Sequence, residues 1–279
     1  MQKLFAVIQL FRWLNGLITA LSILVFLFVS QAQFNLSVDL VLLMLITVFS
    51  LSAGNVVNDI YDYETDRINR PKRPLVSANF SIPEAWSLYF ILLILIAAMS
   101  ATFNQTEILL IIFNNCLLYV YSYTLKGRPL IGNVVVAYLA ASIFILFGIH
   151  LNTIDITLLF TVFTFFVHLI RELSKDLADI DGDRQANYQS FPIRNGVSPT
   201  KQLLYFLILL FAIIQIALLI YFSIEITVLY AVLLVSILPE LYSIQLIKHA
   251  QIKEDYDRIS SLYKFIMFGG LIAFSLIKL

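Results

Sequence analysis

The sequence predicts an all-α fold, a polytopic membrane bundle of nine transmembrane helices forming one domain over 1–279. Three observations carry that prediction. Hydrophobic residues make up 60% of the chain and charged residues only 13%, an excess of apolar side chains that no soluble core needs. Long charge-free intervals recur along the chain, and the basic residues between them fall almost entirely on one side of the resulting topology.

The intervals can be taken in order. Trp13 to Val38 and Leu40 to Asn58 are the first and second, Ala85 to Thr106 and Ile108 to Leu125 the third and fourth, and Pro129 to Ile154 the fifth. The sixth is placed at about 155–175 and the seventh at Gln202 to Ile224. An eighth, about 226–247, is interrupted by Pro239 and Glu240, and a ninth, about 258–278, is crossed by Lys264. Most reach the roughly 18 to 20 apolar residues that cross a hydrocarbon core as a helix. Residues 5–30 have the hydropathy of a signal peptide but no clear small-residue cleavage site, so they are assigned to the first helix.

With 18 basic and 18 acidic residues the formal charge is zero, which argues against a nucleic-acid partner. If the helices alternate, 17 of the 18 basic residues share the face of the N-terminus, and only Lys278 falls on the other. The positive-inside rule then puts the N-terminus and the polar loops in the cytoplasm and the C-terminus outside. Cys116, the one cysteine, lies in an apolar stretch, which excludes a disulfide framework and suggests a packing role.

Polar sequence concentrates in two segments on the basic face, Asn55 to about Ser81 and Arg171 to about Thr200. One working mouth favours an enzyme over a carrier, whose functional groups sit at mid-depth or on both sides. The segments share a spacing: Asp59, Asp62 and Asp66 stand at i, i+3 and i+7, as do Asp176, Asp179 and Asp183. On a helix those offsets bring three carboxylates within about 60° of one face, where they repel unless a cation lies between them. Mg²⁺ uses one or two carboxylates and completes its shell with phosphate oxygens and water, so the two acidic faces suit Mg²⁺ around a diphosphate. Asn55 and Asn58, one turn before Asp59 and Asp62, add neutral oxygens. Arg67, Arg70, Lys72, Arg73, Lys126, Arg128, Arg171 and Lys175 flank the triplets and suit the charge of a departing diphosphate. For Arg67, Arg128, Lys248 and Lys253, an interfacial role at the membrane surface accounts for the charge equally well.

The run Asn55-Val-Val-Asn-Asp-Ile-Tyr-Asp62-Tyr-Glu-Thr-Asp66, continued through Arg70, Arg73 and Pro74, resembles the first aspartate-rich signature of the UbiA superfamily of intramembrane prenyltransferases. Arg171-Glu-Leu-Ser-Lys175-Asp176-Leu-Ala-Asp179-Ile-Asp-Gly-Asp183-Arg184 resembles its second signature. Tyr121-Ser-Tyr123-Thr-Leu-Lys126, then Gly132-Asn133, is similar to the family's loop after the fourth helix, and Arg12-Trp-Leu-Asn15 to its Arg and Asn near the site mouth. The resemblance implies a bundle enclosing a central cavity and transfer of a prenyl group from an isoprenoid diphosphate to a lipid-soluble acceptor among membrane lipids. It implies Mg²⁺–diphosphate binding by Asn55, Asp59, Asp62, Asp66, Asp176, Asp179 and Asp183. Lys126, Lys175 and Arg73 would grip the phosphates, with Asp62, Asp66, Asp179 and Lys126 at the chemistry. Arg12, Asn15, Arg70, Lys72, Tyr121, Tyr123 and Arg171 would contact substrate. Where the family often has Gly this chain has Asn187, and Ser190-Phe-Pro192 replaces a frequent Thr-Leu-Pro, which bears on the turn geometry of that loop.

Ile68-Asn-Arg70-Pro-Lys-Arg73-Pro74 resembles the branch whose acceptor is geranylgeranylglyceryl phosphate and whose donor is geranylgeranyl diphosphate. Prenylation of an aromatic acid or quinone precursor is the alternative. A CDP-alcohol phosphotransferase would show an Asp-Gly-x-x-Ala-Arg run that is absent, and a transporter would carry ionisable groups well inside the spans. His150, His168 and His249 have no metal-ligand spacing, and Glu240 beside Pro239 is assigned a kink with a satisfied carboxyl and no further role.

Overall fold

In the computed structural model, residues 2–31, 33–69, 71–77, 80–185 and 187–277 are described, and among them there is no strand. Fourteen α-helices follow in chain order: α1 Gln2–Leu10, α2 Trp13–Ser30, α3 Val38–Tyr61, α4 Tyr63–Asn69, α5 Ile82–Ser100, α6 Gln105–Val120, α7 Ile131–Leu151, α8 Ile154–Ala178, α9 Ile180–Gln185, α10 Phe191–Asn195, α11 Val197–Tyr221, α12 Ile226–Val232, α13 Leu238–His249 and α14 Lys253–Phe274. Single π-helical turns extend α6 through Tyr121–Leu125 and join α12 to α13 through Leu233–Ile237.

Eight of the nine expected spans are helices long and apolar enough to cross a membrane among the described residues. The ninth segment does form a helix, α14, but Lys253, Glu254, Asp255, Asp257, Arg258 and Lys264 shorten its charge-free length. Cys116 differs from expectation: it is exposed on α6, and an outward position on a spanning helix faces hydrocarbon. The eighth span is built as α12, the π turn and α13, with Pro239 in the first turn of α13, where its missing N–H is tolerated. Glu240 is fully buried and accepts two hydrogen bonds from Gln215 Nε2, at 2.8 and 3.0 Å.

The chain divides into two compact units. The first comprises Met1–Leu24 and Asn35–Leu125. In it α3 is apolar on one face, where Ala53, Val56, Val57 and Ile60 pack with Ala85, Tyr89 and Leu92 of α5 and with Leu75 and Phe80 of the intervening loop. Its other face carries Asn55, Asp59 and Asp62, which are also buried. Capping boxes start α5, from Ser81 to Glu84, and α6, from Asn104 to Glu107, and so fix two of its loop exits.

The second unit comprises Val25–Phe34 and Lys126–Leu279. Here α7 and α8 form a tight antiparallel pair around Asn152, which takes a left-handed conformation at φ 53° and closes a Schellman turn, Thr153 N to Gly148 O at 3.0 Å. Ser223 at φ 51° ends α11 in the same manner. The interior is aromatic: Phe163 meets Phe274 edge to face at 4.9 Å, and Phe166 stacks on Phe211 at 5.1 Å. Gly270 of α14 lies directly against the Phe163 ring, leaving no room for a Cβ. Gly270→Leu is therefore expected to cost about 1 to 3 kcal/mol by overpacking, read as a lower unfolding midpoint in detergent. Gly16→Ala, whose Cβ would find its nearest contact with Val48 at 3.6 Å, should leave that midpoint in place.

Candidate active site

The two aspartate triplets are folded alike. In the first, Asp59 lies on the last turns of α3, Asp62 is its C-cap, and Asp66 sits on the short helix α4, connected by Asp66 N to Asp62 O at 2.7 Å. In the second, Asp176 lies at the end of α8, Asp179 is its C-cap, and Asp183 sits on α9, connected by Asp183 N to Asp179 O at 2.8 Å. One continuous helix would be the simplest carrier of the i, i+3, i+7 spacing. Instead each triplet straddles a cap, and a single helical hydrogen bond across the break keeps the third carboxylate near the face of the first two.

In the first unit four of the five predicted oxygen donors are buried, Asn55 at 7% exposure and Asp59, Asp62 and Asp66 at 4 to 5%, and Asn58 is half-buried. Asn55 donates its amide N–H to Phe11 O at 3.2 Å, so any ligand role falls to its Oδ1. Asn58 Nδ2 donates to Asp62 Oδ2 at 2.8 Å. Arg73 bridges two members, pairing with Asp59 and, at 2.8 Å, with Asp66. Arg12, in a left-handed conformation at φ 50° that breaks α1 from α2, reaches Asp59 Oδ1 at 2.8 Å. Asp59 and its partners Arg12 and Arg73 line a cavity of about 520 Å³ together with Gln9, Pro71, Lys72 and Pro74. Arg70 lies outside the described residues, and Asn15 is exposed on α2.

The tyrosines of the fourth-span loop meet partners that sequence reasoning missed. Tyr123 lies 5.5 Å from the ring of Tyr61 and stacks at 6.2 Å on Tyr119, whose hydroxyl is 2.9 Å from that of Tyr61. Tyr121 begins the π turn that carries them and is half-buried.

In the second unit Asn133 Nδ2 donates to Asp176 Oδ2 at 2.9 Å, and Lys253 Nζ donates to Asp179 Oδ1 at 3.2 Å. Burial pushes the Asp183 carboxyl above the ordinary carboxylate range, and Asp179 pushes it the same way. Arg171 and Lys175, expected at phosphate, both pair with Glu172, at 2.7 and 2.8 Å. The Lys126 ammonium sits 6.0 Å over the Tyr188 ring, and Gln189 N donates to Gly127 O at 2.9 Å, tying the loop after α9 to the one before α7. Asn187 settles the turn geometry: at φ 56° it closes α9 with Asn187 N to Arg184 O and Tyr188 N to Asp183 O, a left-handed position that Asn tolerates nearly as well as Gly.

Among the described residues no three Asp, Glu, His or Cys side chains converge on one point as a ready metal site. The chemistry nevertheless fits a hard divalent cation. Every donor is an Asp or Asn oxygen, and the buried carboxylates Asp59 and Asp66 are already drawn onto a shared cation, the Arg73 guanidinium. Within the first unit Asn55, Asp59, Asp62 and Asp66 are the residues that would hold such a cation, and within the second Asp176, Asp179 and Asp183 are the residues that would hold another.

These motifs and this fold define an intramembrane enzyme class. The profile of the UbiA prenyltransferase family matches residues 17–269, and the chain belongs to that family and is an integral membrane protein. It is similar to the digeranylgeranylglyceryl phosphate synthase of Methanococcus maripaludis strain C6, 38% identical over 167 residues, 59% of this chain and 60% of that protein. The matched part is thus three-fifths of that relative's length. A solved structure of a digeranylgeranylglyceryl phosphate synthase superposes with a TM-score of 0.82 at 28% identity, covering 99% of this chain and 98% of that one. A UbiA homologue from Archaeoglobus fulgidus, bound to GPP and Mg²⁺, shares the fold with a TM-score of 0.67 at 20% identity over 97% of this chain and 100% of that one.

The bridge made by Arg73 generates a stability prediction. Arg73→Ala removes a countercharge from Asp66 and one of two from Asp59, and since Arg12 still serves Asp59 the expected loss is about 2 kcal/mol in metal-free buffer. Adding Asp66→Asn to Arg73→Ala should recover part of it. Equal unfolding midpoints for wild type and Arg73→Ala would show that the bridge contributes nothing.

Proposed function

We propose that this chain transfers a prenyl group from an isoprenoid diphosphate, geranylgeranyl diphosphate, to the free hydroxyl of geranylgeranylglyceryl phosphate. The observation that carries the reading is the pair of like-folded aspartate triplets, each capping the end of a spanning helix and each provided with its own basic partner. The names of the M. maripaludis relative and of the similar solved structure support the acceptor. The GPP and Mg²⁺ of the A. fulgidus homologue support the donor class and the metal. The family match running across both compact units supports a single functional domain, 1–279.

When bound, Mg²⁺ neutralises the diphosphate and weakens the allylic C–O bond. The residues do the rest. The Asp and Asn donors of a triplet orient the diphosphate, and the basic side chains, Arg73 in the first unit and Lys126 and Lys175 in the second, meet the charge that grows as the bond breaks and its electron pair leaves with the diphosphate. Asp62 and Asp179, as caps, hold their carboxylates at fixed points where a helix ends. The acceptor hydroxyl oxygen then forms its bond to the freed carbon and passes its proton to the departing diphosphate. A glyceryl phosphate brings a second anion, and the cavity wall with Arg12 and Lys72 supplies cations for it, which favours a phosphate acceptor over an aromatic one. Tyr121, Tyr123, Arg171, Asn15 and Arg70 remain assigned to substrate contact.

The test is direct. Purified protein with Mg²⁺ and labelled geranylgeranyl diphosphate should prenylate geranylgeranylglyceryl phosphate in preference to aromatic acids, and Asp62→Ala and Asp179→Ala should each lose more than about 100-fold in turnover while still inserting in membranes. Exclusive use of an aromatic acceptor would remove the phosphate-acceptor assignment. Orientation follows the charge bias: a reporter near Val76 or Asn195 should read as cytoplasmic, and one at the C-terminus as external. A cytoplasmic C-terminus would mean that α14 does not cross.

A further inference from the structure

The turn between α13 and α14 is short and strongly braced. Ala250 O accepts from Lys201 Nζ at 2.7 Å and from the Tyr256 hydroxyl at 3.4 Å, and the Lys201 ammonium lies 5.8 Å over the Tyr256 ring. Asp255 Oδ2 accepts from the backbone N–H groups of Gln251 and Ile252, at 2.9 and 3.2 Å. Ala250 and Tyr256 are buried. These contacts fix the backbone on both sides of Lys253, the first residue of α14, while its side chain stays 60% exposed.

An interfacial lysine with no other task extends its ammonium toward water. Lys253 instead reaches a carboxylate 74 residues earlier in the chain, Asp179 at 3.2 Å. The neighbouring cations of the same unit are otherwise engaged, Lys175 and Arg171 with Glu172 and Lys126 over Tyr188. Asp179 is itself 42% exposed, so the pair is weak and easily exchanged. A lysine of this kind, a compact charge on a flexible stem anchored at a rigid backbone, can change partners without moving the fold.

We infer that Lys253 is a positioning residue for the diphosphate: it neutralises Asp179 while the site is empty, and it turns to the diphosphate oxygens once Asp179 is engaged by the metal. This rests on the prenyl-diphosphate reading of the same site. No bond is made or broken in the exchange, which moves one ammonium between two anions. Its signature is a pair of opposite effects. Lys253 competes with a metal for Asp179, so removing it strengthens binding of metal alone. It attracts the diphosphate, so removing it weakens binding of that anion.

The experiment uses the full-length protein in detergent, with Mn²⁺ followed by electron paramagnetic resonance and inorganic pyrophosphate followed by calorimetry at saturating Mn²⁺. Lys253→Met is expected to bind Mn²⁺ alone about threefold tighter and pyrophosphate about tenfold more weakly. Lys253→Arg should stay near wild type in both. Unchanged constants would make Lys253 an interfacial anchor, and weakening of both, with a lowered unfolding midpoint, would make it a structural brace. Any result other than the opposite-signed pair overturns the inference. Wild-type protein that binds neither Mn²⁺ nor pyrophosphate would overturn the prenyl-diphosphate reading itself, whatever Lys253 does.

Discussion

Carboxylates crowded at the end of a membrane helix repel one another, and the polar end of each unit is arranged to offset that repulsion. At the edge of a hydrocarbon core the effective dielectric constant is nearer 20 than 80, so the same separation costs about four times what it would in water. Asp59, Asp62 and Asp66 are nearly inaccessible, and no solvent shell screens them. Arg73 lies between Asp59 and Asp66, Arg12 meets Asp59, and Asn58 supports Asp62. The left-handed backbone of Arg12 is the clearest local sign of this demand. A non-glycine residue held at φ 50° is uncommon, and here it both ends α1 and sends a guanidinium to Asp59.

Why each triplet should straddle a helix cap follows from the same constraint. A spanning helix that ran on through all three aspartates would carry them past the hydrophobic boundary along one rod, with no backbone donors turned toward them. Ending the helix at the middle aspartate lets a short second helix return the third carboxylate beside the first. In the first unit the loop that follows also brings a cation, Arg73. In the second, the loop after α9 is closed by Asn187 and carries Tyr188 beneath Lys126.

What the sequence made legible is what the bilayer dictates. Apolar length identifies eight helices because each must satisfy its own backbone in hydrocarbon. The acidic segments stood out because each repeats the same aspartate spacing in an otherwise apolar chain. The break at Arg12 was not legible, since it depends on Asp59, 47 residues later. Neither was the pairing of Lys253 with Asp179, for the same reason of distance. Glu172 is a different case: it stands three residues before Lys175 on one helix, a spacing that pairs opposite charges, and that signal was available. Cys116 was misplaced because hydropathy does not separate a lipid-facing position from a packed one when both surroundings are apolar.

The two triplets differ in one respect that their common geometry makes informative. The first is sealed, with its carboxylates fixed by guanidinium groups that are themselves largely covered, Arg73 at 16% exposure. The second is open, with Asp179 and its lysine both in reach of solvent. A covered cluster is preorganised but slow to exchange its cation, because releasing Arg73 removes a shared partner from two buried carboxylates at once. An open cluster exchanges readily but contributes little order. The same local fold thus carries a fixed countercharge in one unit and an exchangeable one in the other.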